Sequence, residues 1–268
     1  MTKEEQTRIK NGELDDVTIL RLTQEIKDVE ASKTPLVGEF RPLKALLDEY
    51  VDSNFRNKIT ALNVGNAGYR PVRGDGNCAW RAFAFRYFEI LSTATPAELD
   101  AELNHLKAKN ELLDAAGYQE TAYADFVDET VNLLTRLPAL TRADELVTEF
   151  NKQEVSSAIV VHLRLLSAAF VKTHAADYEF FIDGGTTVDD YCSRNIEAFA
   201  VEADHVALSA LVNALESVEL DVVYVDRSEG EQAVVHSFSP AYANSNATAA
   251  RRQVALLYRP GHYDVFYK

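Results

Sequence analysis

Cys78 closes a glycine-rich run, Gly74-Asp75-Gly76-Asn77-Cys78, and opens a segment beginning Ala79-Trp80-Arg81-Ala82-Phe83. Far along the chain, Gly261-His262-Tyr263-Asp264 sets a histidine and an aspartate two residues apart. Together these are the side chains of a thiol hydrolase: a nucleophile, a general base and acid, and a carboxylate that orients the base. Attack on a carbonyl carbon requires the thiolate. A helix starting at or just after Cys78 would aim its positive end at the sulfur, and a neighbouring imidazolium would reinforce it. Glycines at 74 and 76 let the backbone turn tightly, so N–H groups from Asp75 to Cys78 can form an oxyanion hole. On a strand, His262 and Asp264 share one face, and Asp264 can fix the imidazole tautomer while the other ring nitrogen faces the thiol. Arg259-Pro260-Gly261 sets a bend or bulge ahead of them. Each motif alone has a bland explanation: an inert buried cysteine, or an edge strand of no special use. Their pairing favours catalysis.

The elements that must position these residues are mostly helical. An amphipathic helix is expected over Asp16–Glu30, where Ile19, Leu20, Leu22, Ile26 and Val29 lie mostly at helical spacing, and Pro35 ends it. Further helices are expected over Pro42–Asp52 and Asn54–Leu62. Val64–Gly74 reads as an irregular approach to Cys78. Helices then follow over Trp80–Leu91, Ala97–Ala115 with Pro96 opening it, Tyr123–Leu137, Ala143–Phe150, and the apolar Val155–Lys172. Thr187-Val188-Asp189-Asp190 resembles a capping box ahead of Tyr191–Phe199, and Asp204 is the expected N-cap of His205–Leu215. Strands are expected at Leu220–Val225, Ala233–Phe238, Val254–Tyr258 and Tyr263–Tyr267, with a polar loop over Pro240–Thr248. Helices followed by a cluster of strands imply an α+β fold.

At 268 residues and 47% hydrophobic content the chain can bury a sizeable core as one large domain or two small ones. No apolar run is expected to reach the ~20 residues that span a bilayer, and Met1–Lys10 carries no signal-peptide core, so a cytoplasmic location is expected, with the nucleus open. The 42 acidic and 27 basic residues give a formal charge of −15, which disfavours nucleic acid and anionic membranes and tolerates a basic protein partner. Two cysteines, Cys78 and Cys192, make no disulfide framework and no Cys-x-x-Cys zinc motif, and six scattered histidines offer no metal signature. No cofactor is expected. Cys192, His105, His162, His174, His205 and His236 read as structural or solvated positions, and Trp80 and Phe83 as packing for the nucleophile helix.

Asp75-Gly76-Asn77-Cys78 with Arg81-Ala82-Phe83 resembles the nucleophile motif of the ovarian-tumour (OTU) class of cysteine proteases. Leu256-Leu257-Tyr258-Arg259-Pro260-Gly261-His262-Tyr263-Asp264 is similar to the C-terminal signature of the otubain subfamily. Gln24-Glu25-Ile26, Pro35-Leu36-Val37, Val161–Leu166, Phe181–Gly185, Glu202–His205 and Tyr224–Arg227 are further otubain-like stretches, so the resemblance runs from about residue 19 to the C-terminus. Ala79-Trp80 stands where otubains often carry Phe-Tyr. The resemblance implies a papain-like OTU fold, with a small, mostly antiparallel C-terminal sheet packed between helical subdomains. It divides the chain into an N-terminal extension, residues 1–40, and a catalytic domain, residues 41–268. It implies a deubiquitinase in which Cys78 attacks the carbonyl of ubiquitin's C-terminal glycine, His262 serves as base and acid, Asp264 orients His262, and the Asp75 loop holds the oxyanion. The implied partners are ubiquitin and polyubiquitin, with a preference for the lysine linkage that marks proteins for the proteasome. The extension would contact the proximal ubiquitin. Some otubains also bind charged ubiquitin-conjugating (E2) enzymes and block them without using the cysteine, so a non-catalytic inhibitor of chain synthesis is the alternative. A papain-like protease with another substrate fits the Cys-then-His order too, but Gly-Asn-Cys-Ala-Trp lacks papain's first cysteine.

Overall fold

The computed structural model describes residues 34–140, 142–182, 184–241 and 251–268. The helix expected at Asp16–Glu30 and most of the loop Pro240–Thr248 lie outside the described residues. A six-stranded sheet is assembled from β1 (Arg41–Pro42), β2 (Gly68–Arg70), β3 (Val218–Tyr224), β4 (Val234–Phe238), β5 (Arg252–Arg259) and β6 (His262–Tyr267). Its order is β1-β2-β6-β5-β3-β4, antiparallel at every junction except the parallel β3–β5 pair. The α+β expectation and the mostly antiparallel sheet hold.

The apolar pattern of the central strand explains its placement. Val254, Ala255, Leu256 and Leu257 are consecutive and all buried, as a strand covered on both faces requires. On one face, Val222, Leu256 and Val265 join the main core with the helices Cys78–Leu91 and Gln153–Thr173. On the other, Val223, Leu257 and Phe266 pack against Leu43, Leu46, Phe55 and Ile59. The sheet is thus clasped between two helical layers. The helix Cys78–Leu91 is buried all round from Cys78 to Phe85, so its N-terminus is held as part of the core.

Several expectations are corrected. The segment Val64–Gly74 contains β2, and Arg41–Pro42 pairs with it as β1. Strands this short carry no period-two signal. Pro42–Asp52 forms only a 3₁₀ turn, Leu43–Asp48. The helix expected over Ala97–Ala115 is two, Pro96–Ala108 and Asn110–Ala115. In place of a helix over Tyr191–Phe199 there is one turn, Val188–Tyr191, then a π-helical turn, Cys192–Glu197. Arg164 Nη1 takes the Ile196 carbonyl at 2.8 Å, and Ala200 then adopts φ 64°, which redirects the chain toward the nucleophile loop. Two caps are as expected: Asp204 accepts from the Ala207 N–H, and Pro96 opens its helix. Thr187 accepts from the Asp190 N–H, but the Asp190 carboxylate takes the Thr187 hydroxyl, so the expected capping box is not closed. Contrary to expectation, Gln153–Thr173 is long and apolar enough to cross a membrane by length and composition. It is a core helix, however, with His162, Arg164 and Ser167 among its buried residues.

Candidate active site

Three local structures bring Cys78, His262 and Asp264 together. Cys78 is the first residue of its helix, where the amide N–H groups have no intrahelical partner and the helix dipole is positive. β6 begins at His262, directly across the hairpin from Arg259. Pro260-Gly261 makes the turn between them, and Gly261 supplies a φ of +74° that a side chain would disfavour.

Asp264 is fully buried and entirely satisfied. Its Oδ1 accepts from His262 Nε2 at 2.8 Å and from the Val72 N–H at 2.9 Å, while Oδ2 accepts from Arg259 Nη2. A carboxylate facing Nε2 fixes the proton there and leaves Nδ1 for the thiol, whose charge the ring feels. Gly74 borders that side: a Cβ on it would stand 3.4 Å from Nδ1. Burial lowers the His262 pKa, but the hydrogen bonds to Asp264 and Cys78 outweigh it and lift the value to about 9. The imidazole is therefore charged at neutral pH. A charged imidazole and a helix N-terminus both interact favourably with negative charge on the Cys78 sulfur.

The loop before Cys78 is braced from beneath. The Asp75 carboxylate accepts from the Asn77 N–H at 3.0 Å and from Arg81 Nη1 at 2.8 Å. Arg81 is buried and also donates to Ser156 Oγ at 3.0 Å. Arg164, equally buried, donates to the Gly76 carbonyl (3.2 Å), Asn77 Oδ1 (2.8 Å) and the Val201 carbonyl (2.7 Å), and lies over the Trp80 ring. Ala200 N–H completes the knot on Asn77 Oδ1 at 3.0 Å. The Asp75 N–H itself is donated to the Arg73 carbonyl at 3.1 Å. Among the described residues, the N–H groups of Gly76 and Cys78 have no protein acceptor, so they are the loop donors open to an oxyanion.

The chain is matched over residues 29–268 by the family model for peptidase C65, otubain. It belongs to the otubain family. Human ubiquitin thioesterase OTUB1 is 34% identical over 255 residues, covering 94% of this chain and 90% of that protein. Human ubiquitin thioesterase OTUB2 is 32% identical over 233 residues, covering 87% of this chain and 95% of that one. An Arabidopsis thaliana OTU-domain deubiquitinating enzyme is 35% identical over 256 residues, covering 90% and 83%. Among solved structures, an OTUB1 complex with ubiquitin aldehyde and UBCH5B~Ub superposes with TM-score 0.81 at 30% identity, over 94% of this chain and 98% of that one.

Of the residues singled out in the sequence, Cys78, His262 and Asp264 converge in this otubain, and Asp75 serves as a brace for the loop. The other candidates have structural surroundings. His162 is buried, bonds Thr130 Oγ1 at 2.9 Å, and is pushed down to about 4 by burial. Cys192 is buried and pushed up to about 12 by burial. His105 contacts the Leu215 carbonyl. Trp80, Phe83 and Ala79 are all buried within the core. Arg164 and Arg259 were not singled out as functional residues, although both lie within the otubain-like stretches. Charged residues inside apolar runs (Leu163-Arg164-Leu165, Tyr258-Arg259-Pro260) were the available signal, because a buried charge needs a partner.

Gly76 combines φ +76° with a Cβ position 2.0 Å from the Ala200 carbonyl oxygen. Gly76→Ala should therefore cost roughly 2 kcal/mol or more in denaturant unfolding and lower kcat. Wild-type stability would refute the close approach. His262, raised from 6.5 to about 9, contributes stability that is complete below pH 6.5 and is lost as pH rises through about 9. The unfolding free energy should fall across that window in the wild type, and the fall should be smaller in His262→Ala.

Proposed function

We propose that this otubain is a cysteine-type deubiquitinase that hydrolyses the isopeptide bond after ubiquitin's C-terminal glycine. The observation that carries the reading is Cys78 at a helix N-terminus with the Asp264-bound imidazole of His262 close enough to feel its charge, in a chain matched to ubiquitin thioesterases over nearly its whole length. The Cys78 thiolate adds to the carbonyl carbon, and the Gly76 and Cys78 N–H groups receive the oxyanion. As the C–N bond breaks, His262 gives its Nδ1 proton to the departing lysine amine. The neutral imidazole then takes one proton from water as it attacks the thioester. The C–S bond breaks, ubiquitin leaves as its carboxylate with the second proton lost to solvent, and the Cys78 thiolate and charged His262 are restored. Asp264 stays ionised throughout and holds the ring.

The substrate reading includes a preference for chains of the proteasome-targeting linkage and for ubiquitin as the acyl component. Cleavage of diubiquitins of every linkage by the wild type and Cys78→Ser tests it. Wild-type cleavage of that dimer, absent in Cys78→Ser, is expected. His262→Ala should lose more activity than Asp264→Ala, since a misoriented base is better than none.

A second reading has its own support, because the solved OTUB1 complexes include UBCH5B~Ub and UBC13~Ub. In it, the protein also holds a charged E2 and blocks chain synthesis. Inhibition of synthesis by Cys78→Ser would support it, and cleavage without inhibition would remove it.

The N-terminal extension is proposed to contact the proximal ubiquitin. Arg73 Nε holds the Thr34 carbonyl at 2.9 Å, and the Leu36 carbonyl accepts from the Arg73 N–H at 3.0 Å, so Thr34–Leu36 is tied to the residue that precedes Gly74. Leu36 and Val37 are buried, which confines a clean deletion to residues 1–33. That deletion should raise KM for diubiquitin several-fold and spare a substrate bearing ubiquitin only on the acyl side. Equal damage to both would assign the segment a structural role.

A further inference from the structure

Arg259 makes contacts that the cleavage chemistry does not use. One arm of its guanidinium meets Asp264 Oδ2, and the other reaches the Tyr50 hydroxyl at 3.0 Å and Glu49 Oε2 at 3.3 Å. Tyr50 is itself fixed, stacked on Phe55 with ring centres 4.5 Å apart and planes within 4°. The carboxylate is thereby linked to the residues that follow the 3₁₀ segment Leu43–Asp48, on the sheet face that Leu257 and Phe266 share. Without Arg259, Oδ2 would be a buried oxygen with no donor among the described residues, and such a group rotates, recruits water or takes a proton.

We propose that Arg259, anchored by Tyr50, is a positioning residue for hydrolysis: it locks the Asp264 carboxylate so that Oδ1 remains on His262 Nε2. The guanidinium suits the task because its planar fork can serve a carboxylate and a phenol at once, which a lysine ammonium at the same place cannot do with equal geometry. The groups around the carboxylate are Arg259 from β5, His262 from β6, the Val72 amide and Cys78, with Glu49, Tyr50 and Tyr69 behind Arg259 and Glu202 beside Gly261. Burial raises the Asp264 carboxyl pKa, but the hydrogen bond from His262 and the charge of Arg259 outweigh it and hold the group below its ordinary value. Removing Arg259 takes away one of those opposing forces, so Asp264 takes its proton at a higher pH.

The test is the pH profile of kcat and KM on a ubiquitin substrate for the full chain and for Arg259→Met, Arg259→Lys and Tyr50→Phe. In Arg259→Met, kcat should fall about tenfold to a hundredfold with KM little changed, as expected for a displaced catalytic group. Its acid limb should move to higher pH. Arg259→Lys should return the limb toward the wild-type position while recovering only part of kcat. A loss uniform across pH, or one confined to KM, would overturn the proposal. Should Arg259→Met fail to fold, Tyr50→Phe decides: it keeps the charge but removes one anchor. A severalfold lower kcat at constant KM supports the proposal, and unchanged kcat refutes it. If the wild type cleaves no ubiquitin substrate, the functional reading fails; the proposal is then read from the His262 titration, which must differ between wild type and Arg259→Met.

Discussion

Two guanidinium groups, those of Arg81 and Arg164, are buried beneath the nucleophile loop, and the site's geometry depends on them. Taking a cation out of water is costly unless donors are matched to acceptors. Arg81 has a carboxylate, that of Asp75. Arg164 has three backbone carbonyls and the Asn77 side-chain oxygen, the carbonyls coming from residues 76, 196 and 201. Burial lowers the Arg164 pKa to about 10, so it keeps its charge at neutral pH. Each acceptor that moved away would leave part of a buried cation unsolvated. The constraint therefore runs from Arg164 outward. It fixes the loop Asp75–Cys78, the π-helical turn that delivers Ile196, and the left-handed Ala200 whose carbonyl requires glycine at 76. The charge also interacts favourably with negative charge on Cys78.

The asymmetry between the two sides of the cleft follows from this. The cysteine side is held by buried charge and backbone acceptors, an arrangement with little freedom. The histidine side is held by one hairpin and one carboxylate. His262 retains partial side-chain exposure of 22%, against none for Asp264, so the ring is open on one side while the carboxylate is enclosed. That division suits a group that must carry a proton first to a leaving amine and then back from water.

The candidate catalytic residues were legible because their chemistry is local in sequence. A cysteine after two glycines and a His-x-Asp pair on a strand each declare a geometry within a few residues. The caps at Thr187 and Asp204, and the four longer strands, were legible for the same reason. The braces were not. Arg164 meets Asn77 across 87 positions and Asp264 meets Val72 across 192, and no periodicity encodes such a pairing. β1 and β2 were invisible because two or three residues cannot display alternation, and their pairing depends on β6 being in place. The break at Lys109 and the π-helical turn were overridden propensities: the residues favour continuous helix, and tertiary partners decide otherwise.

The hairpin joining β5 to β6 shows how a local turn is tied to the geometry of the candidate site. Arg259 and His262 are a register pair, and the two-residue turn Pro260-Gly261 is short enough to join them directly. A slip of one residue would move His262 and Asp264 to the opposite face of β6, away from both Cys78 and the Val72 amide. It would also break the alternation that buries Val265 against the nucleophile helix layer and Phe266 against the layer opposite. The turn is protected by packing on both sides of the sheet, so the register that serves catalysis is the one that fills both cores. Stability and function here select the same strand alignment, and the Pro-Gly turn need only be compatible with it.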